Sequence, residues 1–233
     1  MIILAASVIP CLYLMYLIYK ADKIEKEPTG LLVKIFIFGA LSTIGAMILE
    51  SIGTIILAYL GMSENSLIYI VLMNFIVVGV SEEFVKRCAM KWPTWKNPEF
   101  NYHFDGVVYG VAATLGFAAL ENFLYVASIG IYLAPIRAVL SIPLHCICGV
   151  YMGYFYGKAK YYDLKGMVAE RKRNMRLSIL IPALIHGFYD FGASIDSDLV
   201  TIIWFVFVIV MDIMAIRYVK QFSREDAPIT EDN

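Results

Sequence analysis

Seven apolar stretches, each close to the thickness of a bilayer, constrain this chain more than any other feature. They run at roughly 2–19, 31–60, 67–90, 106–129, 134–157, 177–195 and 199–218. A helix needs about 20 apolar residues to cross the hydrocarbon core, and in lipid it must satisfy its own backbone polar groups. The expected fold class is therefore all-α, a polytopic integral membrane helical bundle with about seven transmembrane helices. Composition agrees: 60% of the 233 residues are hydrophobic and 17% charged, with a mean hydropathy of +0.71. A soluble globule is excluded, and a nucleic-acid partner is not expected. No internal repeat or linker divides the chain. One membrane-embedded domain over 1–233 is expected, ending in a short, frayed polar tail from about 222. The first stretch has no basic leading region and no small-residue cleavage site, so it reads as a retained anchor. The second is longer than a span requires and predicts tilt, a kink or extension past the bilayer.

Basic residues orient the bundle. Lys20, Lys23, Lys26 and Lys34 surround the first connection, and Lys91 and Lys96 lie at the third. Lys158 to Arg176 reads as a charged fifth loop, and Arg217, Lys220 and Arg224 follow the last span. The alternate connections, 61–66, 128–133 and 194–198, carry no Lys or Arg, and only Arg137 falls near that end. The positive-inside rule then predicts an external N-terminus and a cytoplasmic C-terminus. The Lys158–Arg176 stretch is foremost a solvated topology signal, with binding to anionic lipid headgroups as the alternative. Cys11, Cys88, Cys146 and Cys148 lie in or beside apolar segments without CxxC spacing and read as small apolar residues.

Against this background the stretch Ser81-Glu82-Glu83-Phe84-Val85-Lys86-Arg87 stands out. A charge at the bilayer centre costs about 2.5–3.5 kcal/mol on insertion scales, so adjacent carboxylates need partners or a task. Glu82 with Lys86 and Glu83 with Arg87 are both i,i+4 pairs in the favoured order. One reading makes Lys86 and Arg87 the marker of a helix end that neutralises two shallow acids. The other makes the acids functional. Further polar residues within spans favour the second: Glu50, Glu121, Asn122, His145, His186, Asp190 and Asp212.

His186 and Asp190, also i,i+4, place a carboxylate where it can orient the imidazole or share a metal with it. His145 stands mid-span after Pro143. At 1.5 Å per residue, Glu121 and Glu50 lie nearer the outer face than Glu82. Glu121 therefore has a structural reading, paired with Asn122 or another helix, as does the solitary Asp212. His103 lies in a connection and looks incidental.

Such a constellation suits water attack on a peptide bond, which needs a base, an oxyanion stabiliser and an acid for the leaving amine. Of two adjacent buried carboxylates, one can keep a proton while the other acts as base. The histidines could donate to the oxyanion or hold zinc. No HExxH, GxSxG or GxGD motif is present.

At these residues the chain resembles a family. Glu82-Glu83-x-x-x-Arg87, a later histidine span and His186-x-x-x-Asp190 look like the superfamily of CAAX-processing and bacteriocin-immunity membrane proteases. The resemblance is closer to its PrsW branch, bacterial proteases that make the first cut in membrane-anchored anti-sigma factors. It extends through Asp22-Lys23-Ile24-Glu25-Lys26-Glu27-Pro28, Phe104-Asp105-Gly106, Gly116 to Asn122, Pro143-Leu144-His145 and Leu184 to Asp190, in order from residue 22 to about 190. Where the wider superfamily has FxxxH, this chain has Phe117-x-x-x-Glu121, so no histidine role transfers there.

The resemblance implies an intramembrane endopeptidase in the bacterial cytoplasmic membrane. Its implied partner is a single-span membrane protein of the anti-sigma-factor type. Glu82, Glu83, His145 and His186 would be catalytic, with Asp190, Arg87, Glu121 and Asn122 supporting. No cofactor is certain. Zn²⁺ is the alternative, with His145, His186, Glu83 and Asp190 as its candidate ligands. Asp105 is expected to cap the fourth span. A cation- or proton-coupled transporter and a non-catalytic immunity-type membrane protein are the competing functional classes.

Overall fold

The computed structural model describes residues 1–229. Among these residues seven helices are long and apolar enough to cross a membrane. α1 (Ile2–Ala21) and α2 (Thr29–Tyr59) form the first two. The third is one rod in three parts: α3 (Leu67–Val71), a π-helical segment (Leu72–Val80) and α4 (Ser81–Thr94). The fourth is α5 (Asp105–Ile129). The fifth joins α6 (Leu133–Val139) to α7 (Ser141–Leu164), and α8 (Val168–Ser194) and α9 (Asp198–Arg224) complete the bundle. Among the described residues there is no strand, only an isolated antiparallel bridge between Tyr102 and Pro228.

α5 is the central post. Every residue from Asp105 to Ala119 is buried, as befits a helix that is apolar all round and enclosed by others. α1, α2 and α7 pack around it. Its approach to α7 depends on small residues: Gly106 and Gly110 face Gly149, Gly153 and Gly157, and a Cβ at Gly153 would collide with the Gly106 carbonyl and Val107. In lipid, where apolar burial between helices gains little, such small-residue ladders let backbones close up. The outer helices instead leave apolar side chains such as Ile44, Ile48, Ile202 and Phe205 exposed, the pattern of a lipid-facing surface.

Three expectations are corrected at the end of the bundle where the basic residues gather. The charged Lys158–Arg176 stretch is not a long loop: α7 runs to Leu164 and α8 begins at Val168. Lys and Arg are good helix formers, so hydropathy marks where a helix leaves the apolar layer and not where it ends. The tail is not frayed through Ile229. His103 donates its amide to Ala227, Ile229 donates to Asn101 and the Ile229 side chain is buried. Asp226 Oδ1 accepts the Phe104 amide at 2.8 Å.

Asp105, finally, does not cap its own helix. Its Oδ2 accepts the amides of Asn101 and Tyr102, at 2.9 and 2.6 Å, and so braces the preceding connection. Beside it the Tyr109 hydroxyl donates to Glu27 Oε2 at 2.5 Å. Burial pushes the Glu27 carboxyl up to about 7 and that of Asp22 up to about 6.

Candidate active site

The π-helical segment delivers Glu82 and Glu83 to the first turn of α4. Inserted turns of this kind re-aim the residues that follow, and they recur at functional sites. At its end Gly79 lies against the Ala183 carbonyl and the Gly187 nitrogen of α8. No larger residue would let the third span come this close to the helix bearing His186.

The pairing differs from the sequence expectation in one respect. Lys86, not Arg87, serves both acids: its Nζ lies 2.8 Å from Glu82 Oε2 and 2.8 Å from Glu83 Oε1. Lys86 and Glu83 are both 0% exposed and Glu82 is 6% exposed. One ammonium one turn along reaches residues three and four positions back, and these two lie side by side. Arg87, one residue on, points away, with Nη1 3.5 Å from Met175 Sδ. It supports neither glutamate directly.

α7 and α8 bring in the imidazoles. His145, one turn into α7, has Nδ1 3.1 Å from Lys86 Nζ and Nε2 2.9 Å from Glu121 Oε2. His186 has Nδ1 2.9 Å from Glu83 Oε1 and Nε2 3.2 Å from Asp190 Oδ2. The two rings stand edge to face with centroids 5.3 Å apart.

Glu121, expected to lie too far out, belongs to this cluster. Glu82 is twelve residues from Thr94 and Glu121 sixteen from Asp105. That is a difference of roughly 6 Å in depth at 1.5 Å per residue, and His145 bridges it. Nor does Glu121 pair with Asn122. Arg137 joins them, its Nη2 2.8 Å from Glu121 Oε2 and its Nε donating to Asn122 Oδ1.

Glu82, Glu121, Arg137, His145, His186 and Asp190 line one cavity of about 440 Å³, together with Glu50 and Asn74. A neighbouring cavity of about 370 Å³ shares Glu50, Glu82, Glu121 and Tyr125 and is otherwise mainly apolar, with Met47, Phe117 and Leu124 in its wall. Glu83 and Lys86 sit behind this wall, and Asp212 lines neither cavity. Of the two central cations, Lys86 is expected from sequence only as the partner of Glu82, a pairing the structure keeps, and Arg137 only as a lone base near the outer end. The signals for a larger role were there: Lys86 is in register with both acids, and Arg137 is the one base at the end of the bundle that otherwise has none.

One donor atom each from Glu82, Glu83, His145 and His186 falls within 4.8 Å of the others. By distance alone such a group could gather around a metal, with Glu82 in the place expected of Asp190. The hydrogen bonds argue against it. An ammonium can only donate, so His145 Nδ1 accepts from Lys86, and its Nε2–H then donates to Glu121. Both nitrogens of His186 face carboxylates, the bonding pattern of an imidazolium. Neither ring keeps a lone pair for a metal, and the position bridging Glu82, Glu83 and His145 already holds the Lys86 ammonium. The uncommitted donors are carboxylate oxygens, such as the buried Glu83 Oε2. This arrangement does not fit zinc, which takes nitrogen or sulfur ligands first.

Comparison with known proteins shows which family the chain belongs to. Residues 27–215 match the family model described as PrsW family intramembrane metalloprotease. The chain is 35% identical to Protease PrsW of Oceanobacillus iheyensis over 219 residues, covering 94% of this chain and 95% of that protein. It is 33% identical to Protease PrsW of Halalkalibacterium halodurans, covering 96% and 98%, and 31% identical to that of Bacillus subtilis, covering 81% of each. No solved structure matches. The family match over most of this seven-span bundle, together with relatives more than 30% identical along most of its length, identifies the chain as a member of the PrsW family of intramembrane proteases.

Proposed function

We propose that the chain hydrolyses a peptide bond in a single-span membrane protein of the anti-sigma-factor type, using water activated by glutamate and histidine without a metal ion. The observation that carries this reading is the unequal setting of the two adjacent acids. Glu82 lines the cavity, while Glu83 is sealed behind it and tied to Lys86 and His186.

Glu82 is the base. It takes a proton from a water in the cavity as the oxygen bonds to the scissile carbonyl carbon, and the carbonyl π electrons move onto oxygen. The resulting oxyanion is stabilised by the Arg137 guanidinium at the cavity wall, which the His145 Nε2–H helps to hold through their shared acceptor Glu121. Glu82 then passes its proton to the amide nitrogen, the C–N bond breaks and the amine leaves. Glu83 fixes Lys86 and His186, and Asp190 orients His186 from its other side. The apolar cavity beside Glu82 suits a transmembrane segment unwound at the cut site. Membership of a bacterial membrane-protease family suggests the cytoplasmic membrane for this multi-pass protein, and the positive-inside rule orients its N-terminus outside.

The test is cleavage of a single-span anti-sigma-factor substrate by the purified chain in lipid vesicles, with and without a zinc chelator. Glu82→Gln keeps the shape but removes the base, so turnover should fall by about 10²–10⁴-fold with the variant still inserted and folded. Wild-type turnover should survive the chelator. Near-normal cleavage by Glu82→Gln refutes the base assignment. Activity lost to the chelator and restored by zinc refutes the metal-free mechanism.

A further inference from the structure

Arg87, freed from the role expected of it beside Glu83, lies at a second site. At the basic end of the bundle a pocket of about 330 Å³ opens between α4 and α8, lined by Arg87 and Lys91 from one helix and Arg171, Lys172 and Arg176 from the other. No acidic residue lines it. Among the described residues Arg171 is the one of these five with a protein counterion, its Nη1 2.8 Å from Asp163 Oδ1. Arg87 Nε is buried without a hydrogen-bond partner. A buried guanidinium donor among unneutralised cations is a costly arrangement in a bare protein and an apt one for a multiply charged anion.

The pocket continues into a second one of about 410 Å³. Lys172 and Arg176 line both, and the second adds Leu177 and Leu180. Along α8 these leucines follow the basic residues inward from Val168, towards the part of the helix that carries His186. Leu180 is 49% exposed. Charge at the end of the bundle and an apolar strip running inward reproduce the order of headgroup and acyl chain in a leaflet.

We propose that the groove between α4 and α8 binds an anionic phospholipid, its phosphate held by Arg87, Lys91, Lys172 and Arg176 and one acyl chain lying along Leu177 and Leu180. Free phosphate shares the headgroup chemistry but leaves the leucine strip unused. The bound lipid would tie together the helix carrying Glu82 and Glu83 and the helix carrying His186. The site itself does not depend on the catalytic reading above.

The test is native mass spectrometry of the full chain, released from detergent and titrated separately with phosphatidylglycerol, phosphatidylcholine and inorganic phosphate. One phosphatidylglycerol should be retained in preference to phosphatidylcholine. Arg176→Gln, on the far helix, should weaken that retention by about tenfold, the scale of one lost charge-assisted hydrogen bond, and Arg87→Gln should do the same. Lys220→Gln, a base removed from the same end of the bundle but outside the groove, serves as the control and should leave retention unchanged. Should Arg87→Gln fail to fold, Arg176→Gln decides alone. Wild-type retention by Arg176→Gln, or equal weakening by Lys220→Gln, overturns the site in favour of unspecific charge attraction. Inorganic phosphate binding as tightly as phosphatidylglycerol overturns the lipid assignment.

Discussion

Lys86 Nζ lies 3.1 Å from His145 Nδ1, so a single ammonium ties the imidazole of α7 to both carboxylates of α4. This contact sets the tautomer of His145 and turns its N–H towards Glu121 and the cavity. Lys86 also supplies the positive charge that a metal would otherwise bring to the two glutamates. The centre can thus be held together without an ion.

Lys86→Met should therefore be more harmful than its position behind the cavity wall suggests. Removing one partner of a buried ion pair costs about 3–5 kcal/mol, because the other charge stays behind unpaired. Here both carboxylates lose their lysine and only His186, 2.9 Å from Glu83 and 3.6 Å from Glu82, is left to serve them. We expect a lower unfolding temperature and at least a hundredfold loss of cleavage, on the scale of lost acid–base catalysis. Lys86→Arg should not restore activity, since a planar fork cannot replace a compact ammonium among three acceptors. Cleavage by Lys86→Met at the wild-type rate would remove the lysine from the mechanism.

Much of this was readable from the sequence, for a physical reason. Polar residues in apolar spans are expensive, so Glu82, Glu83, His145 and His186 are conspicuous in the sequence itself, as are the seven spans. What escaped was decided by rotation and depth. Lys86 and Arg87 are both in register with an acid, and only the way α4 faces after the π-helical segment selects Lys86; nothing local in Leu72–Val80 announces that winding. Glu121 was set apart by a depth count that ignores how far side chains reach, and His145 and Arg137 close the gap. The polar composition of the tail hid the pinning of Ala227 and Ile229 to the connection before α5.

Stability should depend on pH through the Glu27 contact at the basic end. Burial raises this carboxyl from 4.5 to about 7, so the folded state binds the proton more tightly than the unfolded chain. The stabilisation is full below about 4.5 and is lost as pH rises through 7. The unfolding temperature should drop by a few degrees across that window, since each unit of displacement is worth about 1.4 kcal/mol. Glu27→Gln, which cannot ionise, should reduce the slope. Asp22, raised to about 6, shifts in the same direction and leaves a remainder. An unchanged slope in Glu27→Gln would assign the effect elsewhere.

The bases at the ends of α1, α7, α8 and α9 predict the orientation. A single cysteine at Glu225 should be shielded from an impermeant thiol reagent in intact cells, and one at Ser63 should react. This requires a background lacking Cys11, Cys88, Cys146 and Cys148. The reverse pattern would invert the bundle.

Glu121 offers the sharpest division between a bracing and a reacting role. Its Oε2 receives both the His145 N–H and the Arg137 guanidinium, and it lines both cavities beside Glu82. Glutamine at this position can accept through its carbonyl oxygen, but its amide turns a donor towards one of two donors and the negative charge is gone. Arg137 then loses its counterion, and the group proposed to meet the oxyanion is no longer held in place. We expect Glu121→Gln to lower cleavage by about 10²-fold, the scale of losing one oxyanion donor, while leaving insertion unchanged. Arg137→Gln should cost a similar factor. The double variant should lose little more than either single one, because both residues act through one network. Independent, multiplying losses would place them in separate roles, and a Glu121→Gln rate within threefold of wild type would return Glu121 to a bracing function.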